Sequence, residues 1–188
     1  MDYYDEELLE ARREQERKKH TTIESGIYAG DTLIQFVHIT LPNSKIHLPL
    51  PEHFVTMPET IKEIKYPSKF APDFIMTSLD SMINFSFNIL DEKNGDIKAM
   101  GNQFQKILVN VNPAINIKSH DVMRTSQGNE MYCFEYDGYL LDGQSFNHVS
   151  LVKMQKSVLH CIFSCPACDS DKWRGGLEQV VLTIEEDV

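Results

Sequence analysis

MINFSFNIL, residues 82–90, alternates apolar and polar side chains. Ile83, Phe85, Phe87 and Ile89 fall on one side of an extended chain, and Asn84, Ser86 and Asn88 on the other. A period of two predicts a strand with one buried face and one wetter face, which antiparallel sheets tolerate and parallel sheets do not. DFIMTS (73–78) precedes it, and the intervening Leu79-Asp80-Ser81 predicts a hairpin.

Working outward, TLIQFVHITL (32–41) reads as a strand, PNSK as a turn and KIHLPL (45–50) as a second strand. Pro49 and Pro51 place that second strand at a sheet edge or at its own end, because proline has no N–H for a ladder. MPETIKEIKYP (57–67) predicts a short helix started by Pro58 and stopped by Pro67, with Ile61 and Ile64 on one face. DEKNGD (91–96) is a loop. After it Ile97, Met100, Phe104, Ile107, Leu108 and Val111 mark an amphipathic helix, with Asp96 as N-cap and Pro113 beyond its end.

Four more strands are predicted at 115–123, 130–137, 146–154 and 157–164, joined by turns containing SQGN, LDGQ and QKS. A last helix begins near Ser170 and lines up Trp173, Leu177, Val180, Val181 and Ile184. Gly175 and Gly176 inside it each cost about 1 kcal/mol relative to alanine, so they either allow close helix–sheet contact or mark a helix that starts later. Hairpin-like runs of strands with two long amphipathic helices are an α+β pattern, with an antiparallel sheet of about six to eight strands.

The first twenty residues are nearly all polar. Acidic residues lead and basic residues follow, which suits a helix dipole, and Glu14 and Lys18 stand at i,i+4. This is a solvated charged helix or a partner-binding arm. SGIYAGD (25–31) reads as a linker. The chain is therefore divided into a charged arm at 1–25 and a single α+β domain at 26–188.

The formal net charge of −10 argues against a nucleic-acid partner. The N-terminus shows no apolar signal-peptide core, and no apolar run approaches the ~20 residues of a membrane helix. Four cysteines without a secretion signal are expected to be reduced thiols in the cytoplasm.

Three of those cysteines fall in HCIFSCPACDSDKW (160–173). Cys165 and Cys168 have the spacing of half a zinc site, or of a redox pair before a helix. Cys161 would stand ~13 Å from Cys165 along a strand, too far to share a metal with it. A thioredoxin arrangement would need further strands after the last helix. The plainer reading packs Cys161 and Cys165 as small hydrophobes, ends the strand at Pro166 and caps the helix with Asp169 or Ser170. The seven histidines are scattered, and there is no G-x-S-x-G, Walker or G-x-G-x-x-G motif.

The expectation is a non-enzymatic protein with no catalytic residues, no cofactor and no metal. The alternative is a small thiol-redox or zinc protein using Cys165 and Cys168. In MYCFEYDGYLL, Tyr132, Phe134 and Tyr136 share a strand face, which is either core packing or one wall of a protein-binding groove.

Three stretches resemble PsbP-like domains. ITLPNSKIHLPLPEHF (39–54) is similar to their opening strand pair and LP-x-x-F turn. KYPSKFAPDFIMTSLDSMINFSF (65–87) resembles the tyrosine-proline and hairpin element of bacterial members. CIFSCPACDSDKW (161–173) with its apolar helix resembles their last strand, proline and tryptophan-bearing helix. The resemblance spans about residues 31–186. It implies an antiparallel sheet with helices on both faces, shared with a nuclear Ran-binding import factor and bacterial DcrB-like proteins. It also implies a protein partner rather than catalysis, since some bacterial relatives are adaptors or chaperones for secreted effectors. Lys, Ile and Asn usage points to a bacterial member.

Overall fold

The computed structural model describes residues 3–68, 71–91, 96–140 and 143–187. The chain opens with α1 (Tyr3–Arg17), β1 (Thr21–Thr22), β2 (Gly26–Ala29), β3 (Thr32–Ile34), β4 (Phe36–Thr40), β5 (Ile46–Pro51), β6 (Val55–Thr56) and α2 (Glu59–Lys65). It continues through β7 (Phe74–Thr77), β8 (Asn84–Leu90), α3 (Ile97–Val111), β9 (Asn116–Arg124), β10 (Glu130–Leu140) and β11 (Gly143–Lys153). β12 (Val158–Pro166), a 3-10 turn at Ala167–Asp169, α4 (Ser170–Leu182) and β13 (Glu185–Glu186) complete it.

A seven-stranded sheet in the order β6-β7-β8-β12-β11-β10-β9 forms the centre, and all its pairings are antiparallel. β8 alternates as its sequence predicts. Phe85 and Phe87 are buried in one core, and Ile83 and Ile89 pack against it. The opposite face is polar but also covered: Asn84 and Ser86 are buried. Asn84 Oδ1 accepts a 2.7 Å hydrogen bond from the Thr77 hydroxyl, which supplies the partner a buried amide needs.

Each face of the sheet carries one long helix. Trp173, Leu177, Val180 and Val181 of α4 join the Phe85, Phe163 and Phe146 face. Ile97 of α3 joins Tyr132, Phe134, Val149 and Leu151 on the other face, with Met100, Phe104 and Leu108 packed alongside. The α3 stripe is narrower than its sequence suggests. Ile107 lies at the outer edge of the stripe, about 100° around the helix from Leu108, and is half exposed. Val111, at the last helical position, is 80% exposed. Asp96 caps α3 by accepting the N–H groups of Lys98 (2.9 Å) and Ala99 (3.1 Å).

Two small sheets, β1-β2-β3 and β13-β5-β4, were not anticipated as separate units. The expected strand 32–41 breaks at Gln35, whose carbonyl accepts the Glu52 N–H, so that β3 pairs with β2 while β4 pairs with β5. The expected linker at 25–31 instead contains a strand, β2 at Gly26–Ala29. Gly26 (φ +84°) and Gly30 (φ +64°) make the turns at its ends, conformations that favour glycine. β2 reaches α4, where Gly176 lies against Ile27 and Phe36.

β5 lies between β4 and β13 and so is not an edge strand, but Pro51 is its last residue, which matches the expected strand end. Its even positions bond to β4, as the Leu41 N–H to Ile46 carbonyl and Glu52 N–H to Gln35 carbonyl contacts fix. Pro49 and Pro51 therefore face the other way, where β13 pairs only with Ile46 and His47. Much of the expected loop at 91–96, and Leu141 and Asp142 of the LDGQ turn, lie outside the described residues. α1 is a charged helix with Leu8 and Leu9 exposed. Its last residue is fixed by a 2.6 Å bond from Arg17 to Asp31.

Candidate functional site

β9 ends the seven-stranded sheet and is nine residues long, whereas the opposite edge, β6, has only two. The Thr125 N–H bonds to the Asn129 carbonyl, so the odd positions of β9 from Ser119 onward bond inward to β10. The N–H and C=O groups of His120 and Val122 consequently point away from the sheet. Asp121 covers one of them: its Oδ1 accepts the Val122 N–H at 2.7 Å. A bulge at Lys118, opposite the Glu135/Tyr136 step, twists the strand where its side chain pairs with Asp137 (2.8 Å).

A cavity flanks β9 on each face of the sheet. On the α3 side an open groove of about 590 Å³ is lined by Asn102, Gln105, Lys106, Val109, Asn110 and Ile117. Tyr132 reaches its base: the hydroxyl donates to Asn102 Oδ1 and accepts from Gln105 Nε2, both at 3.0 Å. On the α4 side a cavity of about 390 Å³ opens between β9 and the helix, bordered by Asp121, Met123, Cys133, Leu177, Glu178 and Val181. Two ties frame that cleft. At one end Ser126 donates its N–H (2.7 Å) and hydroxyl (3.0 Å) to the Leu182 carbonyl. At the other, Arg174 Nη1 bonds Glu135 Oε1 at 2.6 Å and its guanidinium lies 5.0 Å from the Phe146 ring centre.

The floor beside Glu135 holds an acid–base–hydroxyl arrangement. His148 Nδ1 is 3.6 Å from Glu135 Oε1, and His148 Nε2 is 3.0 Å from the Ser150 hydroxyl, which is 3.4 Å from Cys133 Sγ. Only the Arg174 contact to Glu135 has hydrogen-bond length. His148 and Arg174 together hold the Glu135 carboxyl at about 2. The order of groups matches a hydrolytic triad, but access does not, because Ser150 has no solvent exposure. Burial pushes the neighbouring Cys133 thiol up to about 11, which leaves little thiolate at neutral pH. The cluster is better suited to orienting α4 on the sheet than to attacking a substrate.

The residues singled out in the sequence lie elsewhere or deeper. Tyr132 and Phe134 are buried beneath α3, and Tyr136 stacks on Phe134 with ring centres 6.3 Å apart. Burial raises the Tyr136 hydroxyl to about 12. Cys165 is buried on the α4 face, and burial pushes its thiol up to about 12, while Cys168 is exposed on the 3-10 turn. Among the described residues no three His, Cys, Asp or Glu side chains are grouped to hold a metal. Nor is any helix among them long and apolar enough to cross a membrane. Asp121, Glu135, His148 and Arg174 carry no motif. Strand register brings the first three together, and the packing of α4 on the sheet adds Arg174.

No protein-family model matches the sequence, and no curated protein does. Solved structures do match in fold. The solution structure of cyanobacterial PsbP from Synechocystis sp. PCC 6803 superposes with a TM-score of 0.59 at 14% identity, over 84% of this chain and 96% of that one. LpqN, a Mycobacterium tuberculosis protein involved in cell envelope biogenesis, gives a TM-score of 0.52 at 16% identity, over 88% and 98%. Identities this low show a common fold, and the expected α+β architecture with helices on both faces is that fold.

Proposed function

We propose, from the PsbP-like fold of this chain, that it is a non-catalytic protein-binding module whose partner adds an extended strand to β9. The observation that carries this reading is the nine-residue edge strand with a cavity on each side. Strand addition uses outward backbone groups for affinity and alternate side-chain pockets for specificity. Residues of an added strand point alternately to the two faces, so successive side chains would meet the α3 groove and the α4 cleft in turn. The closed-off Ser150 and the raised thiols of Cys133 and Cys165 support the non-catalytic part.

Within this reading the specific role is that of a cytoplasmic adaptor or chaperone-like protein linked to a bacterial secretion system, as the family resemblance implies. Residues 26–188 form the binding unit and 1–25 an arm, tied down where Arg17 meets Asp31 and Ile23 enters the core.

The test places a photo-crosslinking phenylalanine analogue at His120 and, as a control, at Val55 on the opposite edge. Extract of the source cell should give one discrete adduct at 120 and none at 55, and the purified partner should reproduce it. Adding Val122→Pro removes an outward N–H that the sheet does not use and should abolish the adduct without lowering the melting temperature appreciably. Equal labelling at Val55, or an adduct that survives the proline, defeats the reading.

A further inference from the structure

Residues of an added strand that lie opposite odd positions of β9 point, like Asp121 and Met123, toward the cleft under α4. Met123, Leu177 and Val181 give that cleft an apolar wall. Asp121 and Glu178 stand exposed at its mouth, one on the strand and one on the helix. Among the described residues no lysine or arginine pairs with either of them. Arg174, the cation of the cleft, is already bonded to Glu135.

We infer that the α4 cleft receives a lysine or arginine side chain from an extended segment of the partner protein, an inference that rests on the β9 strand-addition reading. The aliphatic stem lies along the apolar wall and the charged head meets the two carboxylates, the division of labour that long basic side chains make at half-buried sites. A purely apolar side chain would fill the same wall but would leave both carboxylates partly desolvated without a counter-charge. The net charge of −10 acts in the same direction, drawing a basic segment toward the molecule.

Fluorescence anisotropy on the full chain tests this with nine-residue peptides of alternating threonine and valine whose central residue is lysine, norleucine or glutamate. At physiological salt the lysine peptide should bind about tenfold tighter than the norleucine peptide, and the glutamate peptide more weakly still. Asp121→Asn with Glu178→Gln should bring the lysine-to-norleucine ratio to about one. Glu59→Gln with Glu63→Gln, the same charge change on α2, should leave it near tenfold. Equal binding of lysine and norleucine by the wild type overturns the inference, as does an equal loss of preference in the α2 pair. Val122→Pro should weaken all three peptides. If it weakens none while the lysine preference persists, the strand-addition reading fails and the acidic pocket for a basic side chain stands. If it weakens all three but no preference exists, the opposite holds. No binding by any peptide at about 1 mM protein overturns both.

Discussion

The two faces of the seven-stranded sheet each carry one helix, yet they are held by different physics. Under α4 the contacts are aromatic: Trp173 lies 5.8 Å from Phe163 and 6.0 Å from Phe54, and Phe85 lies 4.9 Å from Phe163, centre to centre. Under α3 the layer includes polar and titratable groups. His160 is buried 4.8 Å from Phe104, and Tyr132 is held by Asn102 and Gln105. α4 is held by the aromatic area it buries and by the ion pair of Arg174 with Glu135. α3 depends on close fit and on keeping buried groups uncharged.

The largest effect should come from breaking the apolar face. Trp173→Ala should cost about 3–5 kcal/mol, read as a lower urea midpoint. Trp173→Phe should recover most of it, because an aromatic ring still fills the gap.

Acid should then separate the faces. Burial lowers the His160 ring to about 4, so the folded protein resists a proton that the unfolded chain accepts near 6.5. The unfolded state binds more protons between those values, so stability falls as pH drops from 6.5 to 4, by about 3 kcal/mol in total. His160→Leu should remove that part of the slope in a pH series of urea midpoints. On the α4 face, the depressed Glu135 carboxyl contributes stability that is present above about 4.5 and lost as pH falls toward 2. Arg174→Gln should therefore lower stability above about pH 4.5 by a constant amount and flatten the slope only in this lower window. Identical pH profiles for both variants would erase the contrast between the faces.

Fit on the α3 side gives the next effect. A Cβ at Gly101 would overlap the ring of the fully buried Tyr132. Gly101→Ala should destabilise by about 1–3 kcal/mol despite the better helix propensity of alanine. Gly175→Ala, which meets open space on α4, should stabilise by up to about 1 kcal/mol. Smallest of the costs, Asp96→Ala should take about 1 kcal/mol from the α3 cap, seen as faster hydrogen exchange at Lys98 and Ala99.

Much of the α+β plan is legible because its signals are local. The alternation of β8, the Asp96 cap and the Pro166 strand end each lie within a few residues of their effect. The split at Gln35 is not legible, since it depends on a bond to Glu52 made only once β5 has folded back. Nor is the β9 cleft. Cys133 and Glu135 share a strand face by spacing alone, but meeting Asp121 and His148 depends on cross-strand register. One residue of slip would send each to the opposite face. The LDGQ turn held part of the answer: pairing Leu140 with Gly143 places Glu135 opposite His148. The aromatic alternation Tyr132-Phe134-Tyr136 marks the face that α3 covers, so it points to the core of this region and away from its edge.

Asp121 has a consequence for how the protein behaves at high concentration. A long open strand is a template for any other strand, including its own copy. Two β9 strands meeting head to tail in the twofold register centred on residue 121 would set one Asp121 carboxylate directly against the other, and like charges across a ladder repel. The carboxylate that caps the Val122 N–H would also have to let go before that copy could bond. A single side chain thus opposes self-pairing in that register twice, on the strand most exposed to sticking.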